Sequence, residues 1–365
     1  MVPFLTELGF DFSFWVPRPS GLYEDLRARG WDVDGAPRSI EYSVRAWRLD
    51  PGPIRRMVTT PSYFRHFAEF LDSRRPALVH ANSVLTLADA LAARRRGVPT
   101  ILHVHEMLPT DLRGRMVRKV AWEQLDRIIA VSRACAAQLA WNGRMPTIVY
   151  EAAPVPERAT ELRREPRPFT VGTVAVVSTR KGSDLFVEAA RLLGERENAA
   201  NGSGAPPFHF EMVGAPSDAI ERDWARSVLR RAHEVGIDHA ASADVWERLR
   251  SWDAFALPSR ADPFPLSMLE AMASGLPVIG ARTDGIAEQL VPGTGVLIEP
   301  GNPRALADAI SWLATQRPVV REQLGSAARR RVAENFSLPH QVEAMQQVYR
   351  DVLAGAQSSA LADVA

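Results

Sequence analysis

The stretch from Pro258 to Glu288, PSRADPFPLSMLEAMASGLPVIGARTDGIAE, places two carboxylates around a helix start. Asp262 falls in a Pro-rich loop. Glu270 falls eight positions later, inside a short helix predicted to begin near Leu266 and to end at Gly275, a residue type suited to a left-handed C-cap. The free N–H groups of a helix start form an anion site. A carboxylate one turn inside can accept both hydrogen bonds of a ribose diol. The combination could hold a nucleotide diphosphate without a metal. Either acid taken alone also fits an ordinary strand–loop–helix of any α/β protein, whereas the whole segment points to the functional arrangement.

A second segment, Val171 to Leu193, reads VGTVAVVSTRKGSDLFVEAARLL. A strand runs into Arg180-Lys181-Gly182, and a helix follows with Ser183 or Asp184 near its cap. A cationic pair at a strand-to-helix turn is placed to neutralise a phosphate, and Gly182 permits close backbone approach. RKG alone reads as an exposed basic loop; paired with the carboxylate segment it reads as a binding turn.

Short apolar runs alternating with helical patterns must position these groups, which is the pattern of parallel α/β layers. FDFSFWVP, PALVHAN, PTILHVH and RIIAVS are the strands expected in the first half; FTVGTVAVV, FHFEMVG, DAFALPS, PVIGA and GVLIEP are those of the second. ELRREPRP, residues 161–168, reads as an interdomain linker, and NAANGSGAPP as a surface insertion. Helices alone follow Asn302, and the final AQSSALADVA is expected to fray. Two domains result: 1–160, completed by a helix at 338–355, and 166–337. Two Rossmann-like units in tandem would face each other across a cleft at their strand C-terminal ends.

Composition narrows the class. The 365 residues are 46% hydrophobic and 24% charged, and a net charge of +1 gives no global field for nucleic acid. Lys119 and Lys181 are the only lysines among 44 basic residues. A single cysteine, Cys135, excludes a disulfide framework and a thiolate metal site, which suits a reducing cytoplasm. No apolar run reaches membrane-spanning length, and the N-terminus carries Glu7 and Asp11 without a basic leader, unlike a signal peptide.

Taken as an ordered set, these pieces resemble the GT-B glycosyltransferases of the retaining family 4 group. The matching residues are Lys181-Gly182, Gly214 in MVGAP, Pro258-Ser259-Arg260, Asp262 with Glu270, Asp284-Gly285 with Glu288, and Thr294-Gly295 to Pro300, over about residues 75 to 350. In the first half, PTILHVHEMLP matches the family's strand end at His105 and Glu106. The resemblance implies transfer of a sugar from a nucleotide-diphosphate sugar to an acceptor hydroxyl with retention, in polysaccharide or glycolipid assembly, and a C-terminal helix crossing back to the first domain. It implies no cofactor and no metal. Glu270 would hold the ribose, and backbone N–H groups at Leu266 and Ser267 the diphosphate. Arg180 and Lys181 would stabilise the leaving group, Asp262 would face the sugar hydroxyls, and His105 would approach the sugar. Gly182, Gly214, Phe264 and Gly285 complete the donor-binding set.

His105 is also open to a plainer reading, in which it and His103 share one strand face and fill the sheet; for His103 and His80 that reading is preferred. Ser132 most simply caps the helix after RIIAVS. The sequence departs from the family in several places. It begins at what corresponds to the first helix (VPFLTELGF), so either the true start lies upstream or the usual first strand and glycine-rich loop are missing. Asp262 stands for the commoner glutamate, Pro265 for a glycine, and Asp284 for the first glycine of a GG pair. VAVVST lacks an arginine that Arg180 could replace, and Glu151-Ala152-Ala153 replaces the family's interdomain turn. A donor-binding or scaffold subunit with impaired catalysis is therefore the alternative. A dinucleotide oxidoreductase would need G-x-G-x-x-G after the first strand, which is absent, and the two-acid segment argues against a sugar-nucleotide epimerase. Leu112 to Asp126 mixes arginines with apolar residues. It reads either as a solvated helix packed on the sheet or as a basic face resting on an anionic membrane at the inner surface of the plasma membrane, where a lipid-linked or carbohydrate acceptor would be met.

Overall fold

Apolar runs too short for helices become parallel strands, and the amphipathic segments between them become the crossovers. The computed structural model describes residues 1–365 apart from 17, 19, 36–51, 158, 160–167, 200–207, 217–220 and 363–365, with backbone only at 52–60, 197–199 and 357–362. The chain divides into two units: Met1–Val149 with Gln341–Ala365, and Tyr150–His340. The linker expected at 161–168, except Pro168, and the core of the insertion at 200–207 lie outside the described residues.

In the first unit the order is α1 (Val2–Glu7), β1 (Ser13–Trp15), α2 (Gly21–Ala28), β2 (Asp32–Asp34), α3 (Gly52–Arg74), β3 (Val79–Asn82), α4 (Leu87–Arg95), β4 (Thr100–Val104), α5 (Leu112–Gln124), β5 (Arg127–Ala130), α6 (Arg133–Leu139) and β6 (Thr147–Ile148). β3, β4, β5 and β6 form one parallel sheet in that order; β1 pairs with β2. Every residue of β4 is buried, as expected for a strand covered on both faces. Ser132 caps α6 by accepting from the Cys135 N–H at 3.0 Å. Cys135 is itself buried.

The second unit contains β7 (Phe169–Val174), α7 (Ser183–Ala199), β8 (Phe208–Val213), α8 (Arg222–Glu234), β9 (Ile237–Ala240), α9 (Val245–Ser251), β10 (Ala254–Leu257), α10 (Leu266–Ser274), β11 (Val278–Ala281), α11 (Ile286–Gln289), β12 (Val296–Ile298), α12 (Pro303–Thr315) and α13 (Pro318–Asn335). Its sheet is parallel throughout, ordered β12-β11-β10-β7-β8-β9. The chain lays down β7, β8 and β9 outward, then returns to the other flank of β7 for β10, β11 and β12. Phe186, Phe210, Ile279 and Leu306 lie in its buried core.

The last helix, α14 (Leu338–Ala362), supplies Val342, Met345, Val348 and Val352 to the core of the first unit, beside Ile101 and Ile129. It runs on past Ala356, where the sequence suggests fraying. Alanine, glutamine and leucine are good helix formers and no proline stops them.

One polar cluster is embedded in the first sheet. His103 is 2% exposed and neither ring nitrogen has a hydrogen-bond partner. Its ring lies 5.3 Å from His80 and 4.2 Å from His105. His80 Nδ1 is 2.8 Å from the Tyr349 hydroxyl on α14. Burial, then the nearby His105, pushes His80 down to about 4; the same causes, with His80 added, hold His103 well below the usual histidine range. Both rings are thus neutral in the fold but ionise near pH 6.5 when unfolded. Their contribution is present above that value and is lost as pH falls from 6.5 towards 4, by roughly 3 kcal/mol for His80 alone. Amide protection factors in β3, β4 and α14 should therefore fall over this window. His103→Leu should make the dependence shallower, and adding His80→Leu should flatten it; an unchanged slope in the double variant would remove the histidines as its source.

Candidate active site

A parallel sheet ends all its strands on one edge, so the loops after neighbouring strands meet there. β7 and β10 are neighbours, with Val171 opposite Ala254, and they mark the point where strand order reverses. Crevices beside such switch points are where doubly wound sheets bind ligands. The loop after β7 carries Arg180-Lys181-Gly182, the loop after β10 carries residues 258–265, and the loop after β11 carries Thr283-Asp284-Gly285. Gly182 has φ +70°, and a Cβ there would lie 2.1 Å from the Pro258 carbonyl oxygen, so only glycine lets the first two loops touch.

Lys181 and Asp262 close this contact. The ammonium donates to Asp262 Oδ2 at 2.6 Å, and the Ser259 hydroxyl donates to the same oxygen at 3.1 Å. The Arg180 guanidinium is 3.6 Å from Oδ1 and donates to the Ala261 carbonyl at 3.0 Å. Asp262 is 3% exposed, and the Lys181 side chain 14%. Burial pushes Lys181 below the usual lysine range; Asp262 opposes that shift and Arg180 adds to it. The Asp262 backbone is also fully engaged: its N–H donates to Asp284 Oδ2 at 2.8 Å, and its carbonyl accepts from the Gly285 N–H at 3.0 Å. A Cβ at Gly285 would meet the Pro263 carbonyl at 2.0 Å.

Arg260 locks the same seam from outside. It pairs with Asp184 through both terminal nitrogens at 2.7 and 2.8 Å and donates to the Thr179 carbonyl at 2.8 Å. Its own N–H donates to the Arg180 carbonyl at 2.8 Å.

The second acid sits in a different environment. α10 starts at Leu266, its N-cap Pro265 supplies no side-chain acceptor, and it ends at Gly275 with φ +84°. Leu266 is exposed and Ser267 half-buried, so the amide end of the helix is reachable. Glu270 is half-buried, burial pushes its carboxyl above the usual range, and no described residue donates to it.

Arg180, Lys181, Gly182, Asp262 and Gly285 therefore come together, with Glu270, Leu266 and Ser267 on the helix that leaves the same loop. Phe264 is different: its ring is buried, 5.1 Å from Tyr150 and 5.3 Å from Phe336. Gly214 lies one strand over, donating to the Ala240 carbonyl at 2.8 Å and accepting from the His239 ring at 2.9 Å. Glu288 accepts from the Tyr150 hydroxyl at 3.0 Å. Sequence reading assigned no role to Ser259 or to the Arg260–Asp184 pair. Arg260 and Asp184 are 76 positions apart, and nothing in the spacing joins them.

In the first unit, His105 follows β4, and its Nε2 is 2.6 Å from Asn82 Oδ1, which fixes the ring. The Glu106 carboxylate turns back on the chain, accepting from the Ser83 hydroxyl, the Val84 N–H at 3.2 Å and the His105 N–H at 3.1 Å. On α5, Leu112 and Met116 are 70% and 59% exposed beside exposed Arg113, Arg115 and Lys119. Trp122 and Arg118 face inward, donating to the Leu139 and Gln138 carbonyls at 2.7 and 3.2 Å. Among the described residues no helix is long and apolar enough to cross a membrane.

Comparison with known proteins agrees with this layout. Residues 156–331 match the family described as Glycosyl transferases group 1, and residues 1–150 match Glycosyltransferase Family 4. A D-inositol 3-phosphate glycosyltransferase of Gordonia bronchialis is 28% identical over 71% of this chain and 62% of its own length. One from Corynebacterium diphtheriae is 39% identical over 47% of this chain and 40% of its own. The chain thus spans less than two thirds of either. An alpha-maltose-1-phosphate synthase of Mycolicibacterium smegmatis is 28% identical over 76% and 79%. Among solved structures, HepE of Anabaena in complex with UDP and glucose superposes with a TM-score of 0.72 at 18% identity, covering 93% of this chain and 91% of that one. A glycosyltransferase from Rickettsia africae gives 0.74 at 16% identity, over 96% and 92%. With two family models accounting for nearly the whole chain and its α/β fold shared with these structures, the protein belongs to the GT-B glycosyltransferases of family 4 type.

Proposed function

We propose that this protein transfers a sugar from a nucleotide-diphosphate sugar to an acceptor hydroxyl with retention of configuration, and that the second unit grips the donor. The observation that carries the reading is the juxtaposition of a buried cation, Lys181, with an uncapped helix start and a half-buried carboxylate that lacks a donor. Glu270 accepts the ribose hydroxyls, and the amides at Leu266 and Ser267 take the diphosphate. Arg180 and Lys181 face the charge that grows on the departing diphosphate, a role metals fill in other transferases, so the transfer is read as metal-independent.

In the transfer, the bond from the anomeric carbon to the diphosphate oxygen breaks and the bond from that carbon to the acceptor oxygen forms. The acceptor's proton passes to the departing phosphate oxygen on the same face, which keeps the configuration. Asp262 holds Lys181 in place and meets the sugar hydroxyls. For His105 the role towards the sugar rests on the family resemblance, and Asn82 fixes the ring for it. Phe264 contributes through its backbone, because its ring is committed to Tyr150 and Phe336. The acceptor is a carbohydrate or lipid-linked hydroxyl in polysaccharide or glycolipid assembly, met at the inner face of the plasma membrane. The exposed apolar and basic side chains of α5 suit that surface.

A thermal-shift panel of UDP, GDP, ADP and TDP sugars tests the donor site, and HepE makes a UDP-hexose the first to try. Saturation at about one hundred times the dissociation constant stabilises by about 2.7 kcal/mol. Glu270→Ala should erase that shift; a shift that survives would show the ribose assignment to be wrong.

Arg180→Ala and Lys181→Ala should each lower kcat on the order of 10²- to 10³-fold, about 2.7–4 kcal/mol of barrier. Turnover should be unchanged by EDTA. The Lys181 variant should also melt earlier, since it leaves Asp262 a buried carboxylate without its cation. Undiminished kcat in both variants would remove the cations from the mechanism.

Vesicles containing anionic lipid should co-sediment the protein, and reversing Arg113, Arg115 and Lys119 to glutamate should release it. Equal binding to neutral vesicles by both forms would rule out the charged face.

A further inference from the structure

Asp284 occupies a conformation that its residue type does not favour. It has φ +36°, in the left-handed region where glycine costs nothing, and an aspartate there persists only if its side chain does something local. That carboxylate accepts the Asp262 N–H at 2.8 Å, while the next residue, Gly285, donates its N–H to the Asp262 carbonyl at 3.0 Å. The neighbouring Thr283 hydroxyl donates to the Arg260 carbonyl at 3.3 Å. The loop after β11 therefore grips the loop after β10 at three successive residues, and Asp262 is the one held by both its N–H and its carbonyl. An aspartate has a short reach, so where its backbone sits decides whether its carboxylate meets Lys181 at 2.6 Å.

We propose that Asp284 is a positioning residue, whose carboxylate sets the Asp262 backbone so that Asp262 holds the Lys181 ammonium at the place where the donor's diphosphate binds. This deepens the reading of the donor site given above and rests on it. Asp284 acts through Asp262, as a tether that withstands backbone strain to keep a buried ion pair in register. A turn that merely needed a left-handed residue would be served at least as well by glycine.

Two variants separate these cases. Asp284→Gly removes the acceptor and relieves the backbone; Asp284→Asn keeps a side-chain oxygen to accept from the Asp262 N–H. With only Lys119 and Lys181 in the chain, reductive ¹³C-methylation of the full-length protein gives two lysine side-chain signals, Lys119 serving as the surface control. In Asp284→Gly the Lys181 signal should titrate at lower pH than in the parent, because Asp262 no longer opposes the lowering by burial and by Arg180. Tm should fall no further than in Lys181→Ala, since the same buried pair is weakened, and kcat with the donor identified by the panel should fall on the order of 10²-fold. Asp284→Asn should restore both the titration and the turnover. The proposal is overturned if Lys181 titrates unchanged in the glycine variant, or if Asn fails to restore the titration and the turnover. The titration needs no nucleotide, so it judges Asp284 even if Glu270→Ala shows the donor assignment to be wrong.

Discussion

A lysine taken largely out of water sits against a carboxylate that is almost wholly buried, and the active edge of the second unit is built to make that contact. Two loops 81 positions apart supply the partners. Desolvation disfavours the ammonium, and Asp262 offsets part of the penalty. Buried pairs of this kind contribute little net stability, although breaking one by removing a partner typically costs about 3–5 kcal/mol. A more economical fold would place apolar residues here. What the pair provides is a cation held in low dielectric, where its field is far larger than in water. Its position is fixed before any ligand arrives.

Sheet topology explains why these two loops can meet. Because the chain builds outward from β7 on one flank and resumes on the other, the ends of β7 and β10 are adjacent with no crossover helix between them. The cation loop leaves one strand and the carboxylate loop leaves the next. Gly182 permits the approach, Arg260 and Asp184 pin it from the solvent side, and the loop after β11 pins it from the far side. Each tether joins the loop after β10 to a different segment of the chain, so the edge behaves as a unit.

This division also marks what the sequence could and could not tell. Apolar runs such as DAFALPS and PVIGA announce buried parallel strands because both faces are covered. The helix from Leu266 to Gly275 is legible because a glycine must take the left-handed stop. β9 is not legible: it is an edge strand, and Asp238 and His239 face solvent, which breaks the apolar pattern. β6 is two residues long. At the site, charge type and spacing pick out Lys181, Asp262 and Glu270, whereas contacts between separate loops leave no periodic signal. The bidentate hold of Arg260 on Asp184 and the turn of the Phe264 ring into Tyr150 and Phe336 are decided by tertiary packing.

The two acids of the signature segment show how one short stretch can perform two tasks. Asp262 is surrounded by donors: an ammonium, a hydroxyl and a nearby guanidinium. Glu270, one helical turn into α10, has burial without donors, and its carboxyl is pushed up instead of being satisfied. Pairs of carboxyls whose environments diverge in this way have separated roles. The satisfied acid is part of the scaffold that holds the cation. The unsatisfied one gains most from a ligand that brings hydroxyl donors, since such bonds favour its ionised form. On the proposed reading of Glu270 as the ribose acceptor, binding and ionisation there are linked. A diol that binds the carboxylate must displace whatever proton burial has retained, and affinity should weaken as acid restores it.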